Sequence, residues 1–131
     1  MDIFKSFATD EKSETEGRWF PLSKTTKVLV ARTGNPAYIR LARKKLEENK
    51  VDLESQGDEG SDLAEMVMTE VMAKTILLGW EGLEYKGKKV DYSVEMAKTL
   101  LSIKDFRKKI VSLSDNFEAF KLKEEEALGN D

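Results

Sequence analysis

The chain has neither histidine nor cysteine, which removes the side chains that most often shuttle protons, attack as thiolates or bind transition metals. Catalysis would have to rest on carboxylates, lysine, serine or tyrosine, and no nucleophile with an adjacent base stands out among them. We read the chain as a non-enzyme with no catalytic residue, no metal site and no cofactor. Two acid- or glycine-bearing stretches come nearest to a ligand motif. From Asp52 onward, Glu54, Gln56 and Gly57 fall where a calcium loop would place them, but the twelfth position is Leu63, where a bidentate glutamate is needed. Gly79-Trp80-Glu81-Gly82 lacks the lysine and hydroxyl residue of a phosphate loop.

The basic run at residues 40–45, with Arg40, Arg43, Lys44 and Lys45 close to Tyr38, has the residue types for phosphate contact and base stacking. Glu47 and Glu48 balance it, and 25 acidic against 22 basic residues leave a net charge of -3. Neither nucleic acid nor an anionic membrane surface is expected as a partner. No stretch reaches the length of a membrane span, and the first residues do not have the form of an export signal.

What remains is apolar adhesion. Met66, Met68, Met72, Trp80, Leu83, Tyr85, Phe117 and Phe120 are the candidate protein-binding residues. Methionine is unbranched and polarisable and repacks against varied surfaces, while aromatic residues concentrate binding energy at interfaces. The same methionines would serve equally to fill an irregular core, and the sequence leaves that choice open.

The elements that must hold these residues follow from turn and cap signals. Residues 1–17 are mostly polar and read as a mobile lead-in. The β-branched run at 27–31, after Trp19, Phe20 and Leu22, predicts extended chain or a short β ribbon. Asn35-Pro36 supplies an N-cap and a first-turn proline, so a helix should start there, with Tyr38, Leu41, Ala42 and Leu46 inward. Residues 54–60 predict a loop, and Ser61 a cap for a helix running to Leu78 and closed by Gly79 and Gly82.

That helix would carry Leu63, Val67, Val71 and Leu78 on one side, with Met66, Met72, Ile76 and Leu77 across the rest. A helix apolar nearly all round must be buried on more than one side. Gly87 centres a small hairpin or tight loop, and Ser93 caps a short helix. Ser102 with Asp105 predicts a capping box for a last helix bearing Ile103, Phe106, Ile110, Leu113, Phe117 and Phe120, with a break near Ser114, recapped by that serine, as an alternative. The expected fold class is mainly α: a compact bundle of about four helices at residues 18–122, with a short extended or β-ribbon N-terminal segment. An acidic, frayed tail at 123–131 would follow.

The order Gly79-Trp80-Glu81-Gly82-Leu83, a turn at Gly87, a Tyr92-Ser93 helix start and a late phenylalanine, together with the upstream Asn35-Pro36-Ala37-Tyr38 helix, resembles the tail assembly chaperones of long-tailed, lambda-like siphovirus bacteriophages. The resemblance spans roughly residues 18–120. It implies a helical protein of the host cell cytoplasm that binds the tape measure protein, keeps it soluble, and is absent from the mature virion. It also implies a homo-oligomer, and a longer product of ribosomal frameshifting that recruits the major tail tube protein. The family has no catalytic residues to carry over. A small structural tail completion or connector protein is the alternative that the same composition allows.

Overall fold

Alternation of buried and open positions in a run of β-branched residues makes a strand, and Val28 and Val30 are fully buried while Lys27 stays exposed and Leu29 is half-buried. In the computed structural model, which describes residues 1–54 and 57–123 and only the backbone of Asp58 and Glu59, this strand is the centre of a sheet. The N-terminal 17 residues, read above as a mobile lead-in, carry two short helices, α1 (Ile3–Phe7) and α2 (Glu11–Glu16). Arg18 holds Asp10 at 3.1 Å and Arg32 holds Glu14 at 3.1 Å. The lead-in also runs antiparallel to the far end of the chain, where Asp10 N–H donates to the Phe120 carbonyl and Leu122 N–H to that of Ala8, both at 2.8 Å.

Strands β1 (Arg18–Pro21) and β2 (Lys27–Val30) form the expected ribbon. Helix α3 (Pro36–Glu48) starts where the sequence places it: the Asn35 side chain accepts from Tyr38 N–H at 3.0 Å, with proline in the first turn. A single turn, α4 (Lys50–Leu53), leads to α5 (Asp58–Thr75), whose N-cap position is Gly57 instead of Ser61. Residues 55 and 56 of the expected loop lie outside the described residues, as does the tail from 124 onward.

The long helix stops at Thr75, and β3 (Leu77–Glu81) follows at once. It pairs antiparallel with β2, Val28 opposite Trp80 and Leu29 opposite Gly79, to give sheet order β1-β2-β3. This corrects the expected fold. Among the described residues the chain has eight helices and two antiparallel sheets, of three and two strands, so it is mixed α/β and not a mainly-α bundle of four helices. The physical reason lies in β2, whose otherwise open edge needs backbone partners. Ile76, Leu77 and Leu78 are a short apolar run that fits either period, and pairing decides it. The apparent all-round apolar helix was a helix joined to a strand.

Gly82, at φ +73°, closes that strand, and a Cβ there would run into the Thr25 carbonyl. The expected hairpin at Gly87 is β4 (Glu84–Tyr85) and β5 (Lys88–Lys89). Lys86 and Gly87 both have positive φ, as the favoured two-residue hairpin turn requires. Helix α6 (Val94–Leu101) is capped by Ser93, whose side chain accepts from Met96 N–H at 3.0 Å. Helix α7 (Lys104–Ser114) has no side-chain cap, because Ser102 turns back to the Thr99 carbonyl. The stripe then breaks after Ser114, and α8 (Phe117–Phe120) is recapped by Asn116, not by that serine.

The helices pack on one face of the three-stranded sheet. Register partners Phe20, Val28 and Trp80 form an inward row that meets Met72 and Ala73 of α5, Ile76 just after it, Leu100 and Leu101 of α6, Ile110 of α7 and Phe120 of α8. The next row, Trp19, Leu29 and Gly79, points the other way. Tyr92 locks the helix-to-strand joint through its hydroxyl, 3.2 Å from the Ala73 carbonyl and 2.8 Å from that of Leu77. Burial pushes this phenol above its ordinary pKa.

Candidate protein-docking groove

The first half of α5 leaves the core and is flanked by α3 and α4. Asn35 anchors the start of α3, donating from its amide to the Arg32 and Thr75 carbonyls at 2.8 and 3.2 Å. The far end is tied by Lys45 to Glu70 at 3.1 Å, and Asn49 turns the chain into α4 by donating to the Lys45 carbonyl at 2.7 Å. Between these fastenings lies an open groove of about 180 Å3. Tyr38, Ala42 and Leu46 form its α3 wall, Leu53 its α4 end, and Ala64, Val67, Met68 and Val71 its floor and far wall. The lining is apolar, yet Leu46 is 55% and Met68 52% exposed. Val51, on the adjoining turn, is 81% exposed.

Glu70 stands behind the groove, and Lys74 and Lys98 join Lys45 around it at 3.2 and 4.0 Å. The hydrogen bond from Lys45 holds the Glu70 carboxyl below the usual range despite some desolvation, with Lys74 adding to the effect. The same bond, and the charge of Glu70, hold the Lys45 ammonium above its ordinary pKa. These ion pairs set the spacing of α3, α5 and α6 and leave the groove itself uncharged.

The eight candidate binding residues do not converge. Met68 lines the groove, while Met66, 68% exposed, stands on the other side of α5 beside Lys98. Met72, Trp80, Leu83 and Phe120 are buried in the chain's own core. Trp80 donates its indole N–H to the Val90 carbonyl at 2.8 Å and meets Tyr92 edge-on at 4.8 Å, so its polar handle is used internally. Tyr85 is half-buried; with Leu83 it lines a second concavity of about 410 Å3 beside Leu22, Ile103 and Phe106. Phe117 is half-buried against Phe7, with ring centroids 5.9 Å apart.

Sequence reasoning missed the α3 wall as a surface. The signal was present in Tyr38, Ala42 and Leu46, an i, i+4, i+8 stripe, but such a stripe looks the same whether the chain's own core covers it or nothing does. Chemically, the arrangement can hold an apolar side chain or helix by burial and dispersion, without covalent steps. Among the described residues no group of three or more carboxylates is placed to hold a metal ion, and no helix is long and apolar enough to cross a membrane.

A family model described as YdaY prophage protein matches residues 33–130. No curated protein and no solved structure matches the chain. The matched region runs from the turn before α3 past α8, so it holds the whole groove and β3 but not the β1–β2 ribbon. The protein is therefore phage-derived, and the chain belongs to the YdaY prophage protein family.

Proposed function

We propose that this prophage protein is a tail assembly chaperone that holds the tape measure protein in the groove formed by α3, α4 and α5, by non-covalent contact alone. The observation that carries the reading is the groove itself: an apolar lining left half open to water, with flexible Met68 at its lip. Contiguous exposed apolar surface on a small protein marks an interaction site, and a methionine lip adapts to a client that presents many different segments. The phage origin and the order of motifs from Asn35 to Phe120 support the choice of client.

A holdase of this kind acts in the host cytoplasm in several copies along a long client and leaves before the particle is finished. Co-expression with the tape measure protein of the same prophage is the direct test. The client should stay in the soluble fraction with the native chain and precipitate with Met68→Glu. Equal precipitation in both cases would sink the reading. Mass spectrometry of finished particles should find no copies of the chain; stoichiometric copies would favour a structural tail subunit instead.

A further inference from the structure

The α3 wall of the groove is anchored at one end, and its attachment thins toward the other. Asn35, buried at its start, donates to the Arg32 and Thr75 carbonyls, and Tyr38, one turn on, packs against the core. Beyond that Ala42 is half-buried and Leu46 is exposed. No residue of α3 or α4 is buried, so neither helix is held by a closed apolar layer. Gly34, immediately before the anchored end, has φ +86° and open space where a Cβ would stand, which leaves the backbone there free to change direction.

The other end of α3 is held to α5 by charge. Lys45 reaches Glu70 at 3.1 Å, with both side chains half-buried. Leu46 and Val71, the next residue on each helix, line the groove, so this bond spans the two helices directly behind it. Lys74 of α5 and Lys98 of α6 also face Glu70, at 3.2 and 4.0 Å, but neither belongs to the wall. Glu48 and Glu95 stand outside this group, on Lys45 at 3.7 Å and on Lys98 at 3.4 Å. Of the three lysines around Glu70, Lys45 is the one that ties α3 to α5.

We propose that α3 and α4 form a hinged wall, pivoting at Gly34 and Asn35 and latched by Lys45 to Glu70, which swings away from α5 to widen the groove around a bulky apolar helix of the client. Hinge motion is absorbed by a few backbone angles at the end of an element, and a wall without buried residues forfeits little packing when it moves. In water the open state exposes Tyr38, Ala42, Val67 and Val71, so the closed state predominates until a client supplies replacement contacts. An ion pair within reach of solvent is a weak latch, which a client helix can outcompete. This rests on the protein-binding reading above and adds how the site admits its client.

The chain has no cysteine, so two introduced cysteines carry spin labels and report one distance in the full protein. Arg43→Cys on α3 with Met66→Cys on α5 follows the wall, and Met66→Cys with Lys109→Cys on α7 follows the body; all three positions are exposed. A helical peptide with a stripe of leucine and phenylalanine serves as the client probe. Saturating peptide should lengthen the wall distance and leave the body distance unchanged. Lys45→Gln should populate the longer wall distance without peptide and raise the rate of peptide association roughly two- to fivefold. Lys74→Gln, which leaves the Lys45 bond in place, should do neither.

Bound peptide without a longer wall distance, Lys45→Gln without the second population, or equal lengthening by Lys74→Gln would overturn the proposal. So would a body distance that lengthens together with the wall, because the whole chain would then be loosening. A soluble tape measure protein with a rigid wall rejects this inference and leaves the chaperone reading standing. A wall that opens around the peptide as described, with an insoluble client, does the reverse.

Discussion

Ile76 and Leu77 are nearly dry in the core, whereas Leu46 and Met68, on α3 and the first half of α5, stand half open to water. Both sets are apolar and both sit on or beside the same long helix. They differ in what arrives from elsewhere in the chain. At the end of α5 the three-stranded sheet, α6, α7 and α8 converge and close the core. Beside its first half α3 and the single turn α4 pack against it, and on that side two helices and a turn leave a cleft instead of a closed layer. One region uses its apolar surface to hold the fold, and the other has it to offer.

Substitutions measure that contrast. Phe120 is fully buried against Phe20, with ring centroids 6.1 Å apart. Phe120→Ala should cost about 3–5 kcal/mol, read from urea unfolding. In the same closed region, buried Ser114 donates to the Ala31 carbonyl at 2.8 Å and shares its hydroxyl with Thr33. Ser114→Ala leaves the buried Ala31 carbonyl without this donor, while exposed Thr33 can turn to water, and should cost about 1–3 kcal/mol.

A smaller change is expected at the ion pairs behind the groove. The Glu70 carboxyl is held below 4.5, so its contribution is present above the unfolded value and lost as pH falls through the folded one. Native protein should therefore lose a little more stability than Glu70→Gln when acidified below pH 4.5, in parallel denaturation series. The raised ammonium of Lys45 works in the opposite sense: its contribution is complete below 10.5 and fades only in stronger base.

The smallest effect on stability belongs to the open region. Met68→Gln should shift unfolding by no more than about 0.5 kcal/mol, while abolishing most client retention in the co-expression assay. If it destabilised the chain as much as Phe120→Ala does, the two regions would not differ in the way described.

Several local signals were legible, although the helices of residues 3–16 were missed and the caps expected at Ser61 and Ser102 do not form. Asn35-Pro36, Ser93, Gly87 and the β-branched run at 27–30 all mark elements that the structure contains. The break after Ser114 was legible too, although Asn116 supplies the cap. The joint at Ile76 was not, because an apolar run of this length satisfies both periods and a strand 46 or more residues away settles it. The candidate site was partly legible. Met68 was singled out, but Trp80, Leu83 and Phe120 were grouped with it by residue type, and residue type does not tell a core aromatic from an interface one.

From the sequence alone it was determined that the chain has no histidine or thiol chemistry, carries nearly balanced charge, and folds through a capped helix at Asn35 and a second at Ser93. Caps, tight turns and side-chain inventory act over three or four residues, so order along the chain contains them. The tertiary structure decided that residues 77–81 pair with β2, and that four of the eight candidate residues are spent on the core. It also decided that Tyr38, Leu46 and Met68 share an open groove. Those outcomes depend on which distant surfaces reach each apolar patch first and best, and burial is a property of that arrangement and not of any residue in it.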